Sequence, residues 1–290
     1  WGLIGYGSIG RKHGKIIESF GDHVEVLTKS HDCSYSRVEN ISELLRKDPE
    51  RIIIANETAH HLSAYREIRA INSKIPVLIE KPLFDNVTDI TGDLNTFVAY
   101  CLRFHPLVEK LKTLIGNDKI ISAHYYVGQF LPSWRPDRDY RETYSAKKAL
   151  GGGVMRDLSH ELDLAAYFHG ELEVNFVKKF KLSALEIDSD DSFTGVFSSA
   201  ECPLITVQLN YLDRITQRNF TLISDVNTYK VDFISGEIRV NEQLQVETPQ
   251  KDKMYKSMLK NFRDGQFNQL TKFDEGNKIL EIFKATEDKK

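Results

Sequence analysis

The feature that most constrains this chain lies at its very start. Leu3-Ile4 is a short apolar run, and Gly5-Tyr6-Gly7-Ser8-Ile9-Gly10 follows at once, before a helical stretch carrying Ile16 and Ile17. In a strand-to-helix turn of this kind the first glycine allows a tight bend. The second lets a pyrophosphate approach the backbone, and the third lets the helix pack on the strand. The helix N-terminus also offers unpaired amides to an anion. Gly5, Gly7, Ser8, Ile9 and Gly10 are therefore candidate dinucleotide contacts. In isolation such a turn could equally be a ligand-free loop, so its context decides.

That context is a βα rhythm. Val24 to Leu27, Arg51 to Ala55, Pro76 to Ile79 and Phe97 to Tyr100 are apolar runs without polar alternation, as expected of parallel strands covered on both faces. Ile41, Leu44 and Leu45 between them have helical spacing. At Arg103-Phe104-His105-Pro106 the character changes. Pro106 suits a first helical turn, with Leu107, Leu111, Leu114 and Ile115 on one face before Gly116.

Further on, Ile205, Val207, Leu209 and Tyr211 alternate with Thr206, Gln208 and Asn210, the pattern of a half-buried strand. Phe220 to Ile223 and Tyr229 to Ile234 read similarly, with Ser235-Gly236 as a turn, and two amphipathic helices close the chain. The expectation is an α/β chain: an N-terminal Rossmann dinucleotide-binding domain over 1–102, then a C-terminal α+β domain over 103–290 built on a largely antiparallel sheet. The second domain is expected to bind substrate and to mediate self-association.

The 290 residues suit two cores. A net charge of -3 provides no broad basic field for nucleic acid or an anionic membrane, and no apolar run is long enough to span a bilayer. Cys33, Cys101 and Cys202 lack the short spacings of a zinc or redox site, so no metal is expected. No secretory leader precedes the first motif, and a cytoplasmic location is expected.

Three further groups carry chemistry. At the end of the second strand, where a carboxylate would hold the adenosine ribose, stand Thr28, Lys29 and Ser30; a lysine between hydroxyls suits a 2′-phosphate, which favours NADP(H) with NAD(H) possible. Lys29 could equally be a solvated charge. Glu80-Lys81-Pro82 follows the strand Val77 to Ile79, at the carboxyl edge where open α/β sheets bind ligands, and an ammonium there can polarise a substrate oxygen. After Gly151-Gly152-Gly153 a helix carries Asp157 and His160, three apart, expected on one face as a carboxylate and imidazole for proton transfer. A helix-start aspartate and a surface histidine would read the same.

Taken together, Gly5 to Gly10 with Arg11-Lys12-His13, Glu80-Lys81-Pro82, Tyr100 with Arg103 to Pro106, and the triple glycine with His160-Glu161-Leu162-Asp163 resemble the Gfo/Idh/MocA family of oxidoreductases over almost the whole chain. Asp190-Asp191-Ser192-Phe193 and the closing Met254-Tyr255 and Glu275-Gly276 helices are similar too. The resemblance implies hydride exchange between a nicotinamide and a sugar or sugar-nucleotide carbon, with Lys81 and His160 in proton transfer. The family's aspartate stands four residues before the histidine; here Arg156 holds that place and Asp157 stands three before.

Asn56-Glu57-Thr58-Ala59-His60-His61 resembles the family's cofactor-contacting loop, with Glu57 where proline is usual and either histidine able to match. Asn56, His61, Glu80 and Lys81 join the cofactor candidates. Arg103, Tyr126, Trp134, Arg135 and Tyr140 are candidate lining of a sugar pocket beside Lys81, Asp157 and His160. Residues Leu83 to Thr96 leave room only for an abbreviated crossover helix. Family members commonly form homodimers or homotetramers. Two rival readings use the same fold: a catalytically silent dinucleotide sensor, or an enzyme that oxidises transiently with bound NAD to cleave or epimerise a glycoside.

Overall fold

In the computed structural model the described residues are 1–246 and 252–287, and the chain forms two compact units. The first comprises Trp1–Cys101 and Asp252–Leu280, the second Leu102–Lys251 and Glu281–Lys290. The chain therefore returns to its first unit late, where the sequence suggested one division after residue 102.

The first unit is built on β1 (Gly2–Ile4), β2 (Glu25–Leu27), β3 (Ser36–Val38), β4 (Ile52–Ile54), β5 (Val77–Ile79) and β6 (Thr96–Val98), all parallel where they pair. The helices α1 (Ser8–Glu18), α2 (Ile41–Arg46) and α3 (His61–Ile71) connect them. The core strands are short runs of Ile, Leu and Val, and Leu3, Val26, Ile52 to Ile54 and Val77 to Ile79 have no exposed surface. β3, with two of its three residues exposed, has no apolar run to announce it.

The second unit begins with α4 (Pro106–Ile115), β7 (Ile120–Gly128), α5 (Val154–Asp157) and α6 (His160–His169). It continues through β8 (Glu173–Phe180), β9 (Ser192–Ser198), β10 (Leu204–Asn210), β11 (Gln217–Ser224), β12 (Thr228–Asp232), β13 (Glu237–Val240) and β14 (Gln243–Val246). The sheet order is β14-β13-β12-β11-β7-β10-β9-β8, and only the β10–β7 pair is parallel. The expected alternation of β10 holds, with Ile205, Val207 and Leu209 fully buried. Gly236, at φ 77, closes the turn between β12 and β13.

One expectation fails here. Asp157 and His160 do not share a helix face, because α5 ends at Asp157 and α6 begins at His160. At the break the Ser159 hydroxyl donates to the Arg156 carbonyl at 3.0 Å, a carbonyl that a continuous helix would give to the His160 amide.

The chain ends with α7 (Lys253–Arg263), β15 (Thr271–Lys272) and α8 (Phe273–Ala285). β15 pairs antiparallel with β6, giving the first unit the order β15-β6-β5-β4-β1-β2-β3. No helix forms between β5 and β6. There α8 takes the place of a crossover: Asn277 accepts from the Thr88 amide at 3.4 Å and donates to its carbonyl at 3.2 Å. Gly276 allows this approach, since a Cβ there would lie 2.6 Å from Val98 Cγ2.

Candidate functional site

β1 is the switch point of the first sheet, pairing β2 on one side and β4 on the other, so the turns after β1, β4 and β5 share one carboxyl edge. The three glycines of the first turn serve different ends. Gly5 adopts φ +95, and a Cβ there would lie 2.5 Å from the Asn56 amide nitrogen. A Cβ on Gly10 would lie 2.3 Å from the Gly5 carbonyl oxygen. Gly7 meets nothing within 4 Å. Two glycines thus let the chain close on itself, and the middle one faces open space.

Gly7 is the N-cap of α1, which has no side-chain cap and no acidic residue in its first turn. Its amide dipoles are left for an external anion. Nearby at the end of β4, the side-chain oxygen of Asn56 is buried without a hydrogen-bond partner among the described residues. An open glycine, an uncapped helix start and an unmet acceptor suit a pyrophosphate flanked by hydroxyl or amide donors.

The end of β2 carries charge of both signs. Thr28 Oγ1 accepts from the Ser30 amide at 3.1 Å, and Lys29 is exposed. Asp32 accepts from Ser30 Oγ and, at 2.7 Å, from Arg11 Nη2, and these bonds hold its carboxyl below the usual range. The Arg11 guanidinium lies 4.4 Å from the Tyr6 ring centroid, and Arg37 donates to the Ser30 carbonyl at 3.2 Å. Sequence spacing alone does not bring Asp32, Arg11 and Arg37 to the end of β2, because their grouping depends on where α1 and β3 place them.

The two histidines after β4 part company. His60 is exposed, whereas His61 is 1% exposed. The His61 ring lies between two turns: Nε2 is 3.1 Å from the Asn56 carbonyl and Nδ1 3.2 Å from the carbonyls of Pro82 and Leu83, and a neutral ring donates its one N–H to one side. Burial pushes its pKa down, against those carbonyls. Glu80 Oε1 lies 2.6 Å from His13 Nε2, its Oε2 accepts from the Lys81 amide at 3.3 Å, and the Lys81-Pro82 peptide is cis.

In the second unit, Asp157 is 7% exposed and accepts from Tyr211 Oη at 2.6 Å. Tyr144 also bonds this carboxylate, and burial first, then Asp157, pushes both phenols well above their ordinary range. Trp134 meets Tyr211 edge-on with centroids 5.2 Å apart, and its Nε1 is buried without a partner among the described residues. A small cleft is lined by Trp134, Arg135, Tyr140 and Tyr144. The structure thus brings Trp134, Arg135, Tyr140 and Asp157 together, and adds Tyr144 and Tyr211.

Asp190 supports this arrangement. Its carbonyl and carboxylate accept from the amides of Val154 and Met155 at 3.0 and 3.1 Å, capping α5. Gly153, at φ +123, makes room, since a Cβ there would lie 2.5 Å from Asp190 Oδ1. Burial pushes the Asp190 carboxyl up.

His160 is 9% exposed at the start of α6, so it is no surface residue. Arg103 has a different occupation from the expected substrate contact: it is 3% exposed and forks onto both Asp163 oxygens, with Nη2 at 2.8 Å. Tyr126 likewise lies apart from Asp157. Its neighbour Tyr125 reaches His169 on α6, so by strand alternation Tyr126 faces away, where it donates to Asp213 at 2.5 Å.

Among the described residues no cluster of three or more His, Cys, Asp or Glu could hold a metal ion, and no helix is long and apolar enough to cross a membrane.

A parallel dinucleotide-type sheet with a second, largely antiparallel sheet is a fold found among NAD-binding oxidoreductases. No family model matches this sequence, and no curated protein sequence matches it. Solved structures do. An oxidoreductase from Agrobacterium radiobacter in complex with NAD+, L-tartaric acid and magnesium matches with a TM-score of 0.82 at 12% identity, covering 100% of this chain and 96% of that one. Levoglucosan dehydrogenase in complex with NADH gives 0.80 at 16%, covering 99% and 95%. UDP-N-acetylglucosamine 3-dehydrogenase GnnA from Acidithiobacillus ferrooxidans gives 0.74 at 16%, covering 98% and 95%. At such identities the likeness establishes the fold.

Proposed function

We propose that this chain is a nicotinamide-dinucleotide-dependent oxidoreductase of the Gfo/Idh/MocA type that acts on a CH–OH group, or the matching ketone, of a sugar or sugar nucleotide. The observation that carries the reading is the open space over Gly7 at the uncapped start of α1, between two glycines that are jammed against backbone. The solved neighbours named with NAD+ or NADH support the class of cofactor.

A bound nicotinamide would supply hydride chemistry. The chain's own residues supply the rest. Gly5, Gly7, Ser8, Ile9, Gly10 and Asn56 hold the dinucleotide, and His61 shapes the loop beside it. NADP(H) is favoured, with Thr28, Lys29, Ser30, Arg11 and Arg37 meeting a 2′-phosphate once Arg11 leaves Asp32; NAD(H) would be served by Asp32 itself. Lys81 hydrogen-bonds the reacting oxygen, and His160 gives or takes its proton. Asp157, fixed by two phenols, orients and balances charge near that proton. Trp134, Arg135 and Tyr140 offer faces and a guanidinium to a sugar or its phosphate. The subunits self-associate as dimers or tetramers.

The test is a titration of the protein with NADPH and NADH by fluorescence, with turnover on a panel of sugars and nucleotide sugars. Gly7→Ala should keep the native melting temperature and weaken dinucleotide binding by about tenfold or more, as a methyl intrudes where phosphate must touch backbone. Unchanged affinity in that variant would reject the site.

A further inference from the structure

We propose that Glu80 and His13 form a buried positioning pair that sets the peptide, and hence the pose, of Lys81; this rests on the reading of Lys81 as the group that meets the reacting oxygen. The side chain of Glu80 turns inward. Its carboxylate is 12% exposed and the His13 ring 0%, with 2.6 Å between Oε1 and Nε2. The other oxygen accepts from the backbone amide of Lys81 at 3.3 Å. Glu80's own amide is tied to the Ile54 carbonyl at 2.9 Å, so the residue is fixed at both ends.

The chemistry explains why an acid stands here. Two donors converge on the group, a ring N–H and a peptide N–H, and a carboxylate can accept both. Glutamine has one acceptor oxygen; its amide nitrogen would face one of the donors. The pairing also places the imidazole proton on Nε2, since the carboxylate can only accept.

His13 is in turn held by its surroundings. Its ring packs edge-on against Tyr255 of α7, with centroids 6.2 Å apart. The adjacent Lys12 bonds Asp252 at 2.7 Å and lies 4.4 Å from the Tyr255 ring centroid. His13 belongs to the same helix whose start is the proposed phosphate site. A continuous path therefore runs from that helix through imidazole and carboxylate to the Lys81 amide. An ordinary buried pair that merely ties α1 to β5 would share these distances, so the test must separate positioning from stability.

The first measurement needs no substrate. Hydrogen exchange of the Lys81 amide is followed in the full chain for Glu80→Gln, His13→Leu and His13→Gln, with and without NADH and NADPH. Exchange should accelerate about tenfold in Glu80→Gln and His13→Leu while the amides of Ile52–Ile54 and Val77–Ile79 stay as in the parent. His13→Gln, which restores an N–H donor, should recover most of the protection. Unchanged exchange at Lys81, or acceleration shared equally by those strands, overturns the proposal.

The second measurement is turnover. Glu80→Gln should lower kcat by about 30-fold with KM within about threefold, and should add little in a Lys81→Ala background, as expected of residues acting as one unit. Full additivity would refute an action through Lys81. Should Lys81→Ala itself turn over at the parent rate, the functional reading fails, and the exchange result still decides whether the pair positions that peptide.

Discussion

In the first unit, the polar side chains at the sheet edge lean largely on backbone: His61 on the carbonyls of Asn56, Pro82 and Leu83, Thr28 on the Ser30 amide, Glu80 on the Lys81 amide. In the second unit they lean on one another. Arg103 holds Asp163, Arg218 holds Glu161 at 2.7 Å, Tyr211 holds Asp157, and Tyr125 holds His169 at 2.9 Å. A side chain clipped to backbone tolerates change in its neighbours, because every residue supplies a carbonyl and nearly every one an amide. A side chain clipped to another is only as secure as its partner, and losing one leaves the other buried and unmet.

The sharpest way to break that contrast is Arg103→Ala. The pair is 3% and 1% exposed, so removing the guanidinium takes a two-pronged cationic partner from a buried carboxylate and should cost about 3 to 5 kcal/mol in urea or thermal unfolding. The double change Arg103→Met with Asp163→Leu should recover most of that loss, because it removes both charges together. A single variant that unfolds like the parent would show that the second unit's ion pairs carry no such weight.

The same contrast governs how far the fold and the site could be read in the sequence. The glycine turn, the Glu-Lys-Pro turn and the alternation of β10 are local: each is set by neighbouring residues, so spacing reveals them. Tyr211 read only as a strand residue because its partner Asp157 lies 54 residues before it, and Tyr144 escaped notice because nothing in a lone tyrosine announces a carboxylate. Arg103 and Tyr126 looked like ligand contacts for the same reason, their true partners being 60 and 87 residues away. The break between α5 and α6, where the Ser159 hydroxyl bonds the Arg156 carbonyl, carries no glycine or proline to announce it. β8 was overlooked because the alternation of Glu173-Val174-Asn175-Phe176 is brief and breaks where the register shifts between Val174 and Phe176, and the returning β15 is two residues long. His13 and Glu80, 67 residues apart, are a buried side-chain pair amid those backbone clips, alongside the more exposed Arg11–Asp32 and Lys12–Asp252 pairs.

A pH series sharpens the contrast at intermediate size. Burial drives His169, and burial with the Arg218 charge drives His105, from an ordinary 6.5 to about 4. Both rings are neutral in the folded state and more readily protonated unfolded. Their contribution is therefore complete above pH 6.5 and is lost as pH falls from 6.5 towards 4, on the order of 2 kcal/mol each by pH 4.5. The His105 cap makes this concrete, since Nδ1 accepts from the Leu107 amide at 3.2 Å and cannot do so once protonated. His105→Asn keeps a capping acceptor without the titration, so the slope of stability against pH across that window should fall by close to one proton. An unchanged slope would assign the acid sensitivity elsewhere, His61 being the first alternative because burial pushes it the same way.

The smallest expected effect tests the contrast most finely. Tyr211→Phe removes one of two phenols from Asp157 and leaves Tyr144 in place, so the carboxylate keeps a donor. The cost should be about 1.5 kcal/mol, at the low end for a hydrogen bond to a charged group. Tyr144→Phe alone should cost a similar amount, because burial and the same carboxylate push its phenol up as they do that of Tyr211. The two together should cost more than their sum, since only the double variant leaves the carboxylate without either phenol. Strict additivity in unfolding measurements would mean that Asp157 has a further donor of equal standing, and that the second unit's site is less dependent on its side-chain partners than its geometry implies.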